Sequence, residues 1–114
     1  MTIIYGIKNC DTMKKAFKWL EEKNIDYIFH DYKKSGIDEP VLQQALNEHG
    51  WENVINRRGT TWRQLPPKIQ EDMNDTKAIE IAHDNPSIVK RPLLLTDGKT
   101  QLGFKPETYT EIFK

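Results

Sequence analysis

A chain of 114 residues with 17 Lys+Arg and 17 Asp+Glu has zero formal net charge and a pI near 6.8, so overall charge draws it to neither nucleic acid nor a membrane surface. That length supports a single domain, residues 1–114, with a real core. One cysteine, Cys10, excludes a disulfide framework, and His30, His49 and His83 lie too far apart in sequence for a zinc motif, so no metal is expected.

The N-terminus runs directly into strand-like residues without a leader-like segment, and no apolar run approaches the ~18 residues of a membrane helix; a cytoplasmic protein is expected. Ile3-Ile4-Tyr5-Gly6 reads as a short buried strand. Beyond it Met13, Ala16, Phe17 and Leu20 recur at i, i+3, i+4 and i+7, one face of a helix, while Lys14, Lys15 and Lys18 point elsewhere. Lys23-Asn24 stops that helix, and Ile25–His30 alternates as a second strand, completing a βαβ unit with parallel strands and a right-handed crossover. Lys33–Gly36 is a turn. Asp38 caps a helix with Val41, Leu42, Ala45, Leu46 and His49 on one face, which Gly50 ends.

Between Trp51 and Arg63 basic residues, a glycine and aromatics mix without a period, which by itself reads as a solvated loop. Leu65-Pro66-Pro67 breaks any helix before it, and Thr76–His83 forms a shorter one, ended by Asn85-Pro86. The region of about 38–85 is thus a helical insertion. The second half starts at Ile88, and Leu93-Leu94-Leu95-Thr96 is a continuous apolar run typical of a buried strand. Asp97-Gly98 signals a type I′ hairpin, Lys99–Gly103 returns, and Pro106–Phe113 closes the chain as a helix.

Cys10 sits where the first strand hands over to the first helix, at the carboxyl end of the strand, where open α/β sheets place their ligands. Unpaired N–H groups and the helix dipole favour an anion there, and thiolate is the nucleophilic form of cysteine. Lys8 adds positive charge. The alternative is a small buried hydrophobe, the usual state of an unpaired cysteine, but Lys8, Asn9, Asp11 and Thr12 are the residues of an exposed turn.

The stretch Tyr5-Gly6-Ile7-Lys8-Asn9-Cys10-Asp11-Thr12 resembles the opening of the arsenate reductase and Spx family, in particular its small YffB-type reductases. The resemblance implies a thioredoxin-like α/β fold, βαβ and ββα halves with a mixed four-stranded sheet, and a reactive cysteine at Cys10. Arg91-Pro92 resembles the family's Arg-Pro, with a cis proline at Pro92 and an arginine facing the cysteine, and Arg58 matches the arginine of the helical insertion, a match that a shift of one residue would pass to Arg57. Met13 occupies the place of a second cysteine, so no intramolecular disulfide can form. Phe104 stands at the family's third arginine, with Lys105 beside it; an uncharged ring cannot pair with an oxyanion, so arsenate turnover is expected to be weak or absent.

The same resemblance implies a glutathione-dependent thiol reductase. Glutathione serves as co-substrate, with a glutaredoxin as a further partner, and no cofactor is bound. Arg58 and Arg91 bind a small anionic or thiol substrate, since guanidinium forks give paired, charge-assisted hydrogen bonds to oxyanions and carboxylates. Asn9 and the amides after Cys10 contact the adduct, and Lys8 is a further substrate-binding residue. From a different class comes a Spx-like module that binds RNA polymerase or another protein and catalyses nothing.

Overall fold

Apolar residues at Ile3, Ile4 and Tyr5 make Thr2–Gly6 (β1) the strand on which the sheet is built, and the computed structural model describes all 114 residues around it. In chain order come α1 (Asp11–Glu22), β2 (Ile28–Asp31), α2 (Tyr32–Ser35), α3 (Glu39–His49), α4 (Trp51–Val54), α5 (Thr60–Arg63), α6 (Pro67–Glu71), α7 (Asp75–Asp84), a 3-10 turn at Pro86–Ile88, β3 (Leu93–Thr96), β4 (Lys99–Leu102) and α8 (Pro106–Ile112). The chain divides into two compact units, one of Met1–Asp31 with Arg91–Lys114 and one of Tyr32–Lys90.

The first unit is a sheet with strand order β2-β1-β3-β4. β1 runs parallel to β2 and antiparallel to β3, which pairs antiparallel with β4. This is the thioredoxin-like arrangement. Ile4 and Leu94 face each other across the central ladder, and with Met13, Ala16 and Leu20 of α1 and Tyr109 of α8 they form a core with no exposed surface. Each fully buried Leu or Ile there contributes about 1.5–3 kcal/mol. Asp97 (φ 51) and Gly98 (φ 72) are both left-handed, as a type I′ turn between β3 and β4 requires.

Gly6 matters for what lies above it. A Cβ at this position would come within 2.5 Å of Met13 Sδ and 2.7 Å of Met13 Cε, so the methionine fills the space that only glycine leaves.

β2 begins at Ile28 rather than Ile25. The backbone N–H of Ile25 donates to Leu20 O and that of Asn24 to Glu21 O, with Asn24 at φ 55: a Schellman closure of α1. Ile25 therefore belongs to the helix cap, and the alternation through Tyr27 and Phe29 starts before the ladder does.

The second unit is helical. Asp38 caps α3 by accepting from the Val41 N–H at 3.3 Å, and Gly50 (φ 82) ends it. The His49 carbonyl accepts from Asn53 Nδ2 at 2.8 Å. The Lys33–Gly36 turn is a single helical turn, α2, with Gly36 left-handed after it. Pro67 does not only break a helix; it opens α6, where its missing N–H costs nothing. Asn74 caps α7, its side chain accepting from the Lys77 N–H at 2.9 Å. Ile88 and Val89 lie outside β3, with Val89 bridging Ile55.

Two tyrosines of the first unit tie stability to alkaline pH. Burial, then a 2.9 Å hydrogen bond to Glu21 and its charge, pushes the Tyr27 phenol up from 10.0 to about 12. Burial pushes Tyr109 up further, and its hydroxyl has no protein partner. Because the fold favours the neutral phenols, their contribution is complete below about pH 10 and is lost as pH rises past it, first through Tyr27 and then through Tyr109. Urea midpoints measured against pH are expected to be flat up to about 10 and to fall above it. Tyr109→Phe is expected to flatten that fall and to be at least as stable at neutral pH, since a buried unpaired hydroxyl costs about 1–3 kcal/mol.

Candidate active site

Cys10 is the last extended residue before α1 (φ −145, ψ 127). Its N–H donates to Lys8 O at 3.1 Å, which closes the turn, and its carbonyl accepts from the Lys14 N–H at 3.0 Å, which opens the helix. Its side chain makes no capping hydrogen bond. The first-turn N–H groups of α1 are thus not taken by the sulfur's own residue, although Asp11 places a carboxylate in the same turn. Cys10 is half-buried, packed on one side against the core of Ile4, Met13 and Leu94, while Lys8 and Asn9 are exposed. Met13 is fully buried, so the position three residues on is a packing position.

Strand register brings a second segment to the same end of the sheet. Tyr5 pairs with Leu93, so Arg91-Pro92 enters β3 beside the point where Gly6 leaves β1. The Arg91–Pro92 peptide bond is cis, Pro92 is buried, and its carbonyl accepts from the Gly103 N–H at 2.9 Å. Arg91 is half-buried. Phe104 stacks edge-on against Tyr109, with ring centroids 4.7 Å apart, and packs on the core. It is a packing residue, without charge to offer an anion. Lys8, Asn9, Cys10, Arg91 and Pro92 all belong to the first unit.

Arg58 belongs to the second unit. Its N–H donates to Asn56 Oδ1 at 3.2 Å, shaping the turn into Gly59. Next to it Arg57 lies over the Trp51 ring at 5.6 Å, and Trp51 in turn stacks with Trp62 at 6.0 Å. Sequence without period in this stretch reflects a packed aromatic pair and the four-residue α5, not a free loop. Arg57 and Arg58 line a cavity of about 350 Å³ with Glu52, Asn53, Asn56 and Lys90. Lys90 went unnoticed in sequence because its nearness to Arg57 arises only from the Ile55–Val89 bridge.

No three His, Cys, Asp or Glu side chains are grouped so as to hold a metal ion. No helix is long and apolar enough to cross a membrane.

The sequence matches the ArsC family over residues 5–112. It is 33% identical over 110 residues to the global transcriptional regulator Spx 2 of Bacillus cereus, covering 94% of this chain and 82% of that protein. Among solved structures, the YFFB protein superposes with a TM-score of 0.93 at 49% identity, covering 97% of both chains. An arsenate reductase (ArsC) related protein from Brucella melitensis gives a TM-score of 0.76 at 51% identity, over 99% of this chain and 94% of its own. With a cysteine at the strand-to-helix turn, an Arg-Pro entering the neighbouring strand and a family match over nearly its whole length, this chain belongs to the ArsC family.

Proposed function

We propose that the protein is a thiol reductase that works with one cysteine and draws its electrons from glutathione. The observation that carries this reading is the placement of Cys10: the sole cysteine, half-buried at the N-terminus of α1, with its side chain making no capping bond. The Cys10 thiolate attacks the glutathione sulfur of a mixed disulfide, R–S–S–G. That S–S bond breaks, R–S⁻ leaves and takes a proton, and Cys10–S–S–G forms. A glutathione thiolate then attacks the bound glutathione sulfur, releasing Cys10 thiolate and oxidised glutathione. The substrate gains two electrons, and one new glutathione is consumed per turnover. Because Cys10 is the sole cysteine, the thiol that resolves the adduct has to come from outside the chain.

In this reading Lys8 and Asn9 flank the adduct, while Arg91 and Arg58 are the family's anion-binding positions. Phe104, committed to Tyr109, does not join them, and arsenate is a poor substrate. The test is intact-mass spectrometry after incubation with oxidised glutathione. A single glutathione adduct on Cys10 is expected, removed by reduced glutathione; an unmodified protein, or an adduct that reduced glutathione leaves in place, overturns the mechanism.

The likeness to Spx 2 favours a second reading, a regulatory module that binds a protein partner through this same domain. A partner captured from cell extract by Cys10→Ser as well as by the parent, together with no thiol turnover, would select it.

A further inference from the structure

We propose that the cavity beside α4 is a binding site for a ligand bearing a carboxylate, with Arg57 and Lys90 as its anchoring cations. Three cations, Arg57, Arg58 and Lys90, converge on it against one carboxylate, Glu52, in a chain whose formal net charge is zero. Ion pairs such as Lys18–Glu22, Lys68–Asp72, His83–Glu39 and Lys114–Glu111 involve other residues, and Arg57, Arg58 and Lys90 make none, so none of the three is neutralised by the protein. Like charges gathered on one concave wall repel one another unless an anion joins them.

The wall that holds them is built rather than loose. Asn56 N–H donates to Ile88 O and Lys90 N–H to Val54 O, both at 2.8 Å, on either side of the Ile55–Val89 bridge. These bonds fix the backbone of Lys90 beside the 54–56 segment. Arg57 is steadied over Trp51, which its stacking on Trp62 holds in turn, so its guanidinium loses less freedom when it binds. At the turn, a Cβ on Gly59 would come within 2.9 Å of Asn56 Nδ2, so the close packing that shapes the Arg58 backbone depends on glycine.

Size and charge select the ligand class. About 350 Å³ is far more than an inorganic oxyanion fills and lies in the range of small organic ligands. Glu52 in the lining opposes a compact, multiply charged oxyanion more than it opposes a single carboxylate on a larger body, and Asn53 Oδ1 and Asn56 Nδ2, the amide atoms not used in the bonds to His49 and Arg58, suit peptide-like polar atoms. A guanidinium and an ammonium in the same lining suit the carboxylate.

The site is argued without Cys10 and is tested without it. In full-length Cys10→Ser protein, S-methylglutathione and inorganic phosphate are titrated at matched ionic strength and followed by amide chemical shifts. Saturable binding of S-methylglutathione is expected, with the shifts centred on Asn56–Gly59 and Lys90, and phosphate is expected to bind at least about tenfold more weakly. Arg57→Gln and Lys90→Gln should each weaken binding about tenfold, the scale of one charge-assisted hydrogen bond, and Lys90→Arg should keep most of it. All are surface changes, and an unchanged thermal midpoint verifies the fold. The proposal is overturned by an absence of saturable shifts, by phosphate binding as tightly as S-methylglutathione, or by unaltered affinity when Arg57→Gln and Lys90→Gln are combined. A failure here leaves the glutathione adduct on Cys10 to be judged by mass, and a missing adduct leaves this site standing.

Discussion

Cys10→Ser is expected to lower thiol–disulfide turnover by roughly a thousandfold or more, because the hydroxyl oxygen cannot form the mixed disulfide on which both steps depend. Stability should move the other way. Cys10 occupies the N-cap of α1 and makes no side-chain cap, while serine is among the best N-cap residues, its oxygen accepting from the N–H groups of the first turn. A gain of about 0.5–1 kcal/mol is expected, read from urea unfolding. The opposite pattern, turnover retained and stability reduced, would mean that Cys10 is a packing residue and that the reductase reading is wrong. Since α1 begins at Asp11 and its buried face is Met13, Ala16 and Leu20, exchanging sulfur for oxygen one residue earlier leaves the main core contacts untouched.

The second large effect is expected at Gly6, a residue with no chemistry of its own. Gly6→Ala places a carbon within 2.5 Å of Met13 Sδ, in a core where Met13 has no exposed surface into which to retreat. Methionine is flexible, so part of the overlap is relieved by a rotamer change, but the rest has to lift α1 from β1. Overpacking of this kind costs about 1–3 kcal/mol. The displacement falls on the turn between Gly6 and Asp11, so reactivity of Cys10 toward iodoacetamide should change along with the unfolding midpoint. Met13→Ala alone leaves a cavity and costs about 2–5 kcal/mol, yet the double variant should lose clearly less than the sum of the two. Strict additivity would show that the methionine does not sit against the glycine.

How far the sequence foretold this structure depended on where the signal was local. Asp38, Gly50 and Asp97-Gly98 announce their caps and turn through their own side chains or backbone freedom, and each does what its chemistry dictates. The β1–β2 and β3–β4 pairs follow from one βαβ unit and one hairpin, whereas the β1–β3 pairing that joins them is seen only in the structure. Less legible were features whose cause lies far along the chain. Ile25 looks like a strand residue until its N–H is seen bonded to Leu20 O, and Pro67 looks like a breaker until the residues after it turn helical. At the candidate site, Cys10 and Arg91-Pro92 are visible as motifs, and the pairing of Tyr5 with Leu93 explains why they share one end of the sheet. Lys90 carries no motif. Its role as a wall of the Arg57 cavity exists only because Val89 pairs with Ile55.

The first unit is assembled from both ends of the chain, Met1–Asp31 and Arg91–Lys114, and this orders events during synthesis. When β1, α1 and β2 have emerged from the ribosome, the central strand still lacks β3, and Ile4 lacks Leu94 and Tyr109 against which to bury. Tyr32–Lys90 is contiguous and can gather its own contacts first, which shortens the effective loop that β3 has to close to reach β1. The strand entered by Arg91-Pro92 is made only after the whole of Tyr32–Lys90. Until then the turn carrying Cys10 has no finished sheet edge beside it, so a nascent or truncated chain ending before Arg91 carries the thiol without its surroundings. The surroundings of Cys10 are in that sense completed only once β3 has been made.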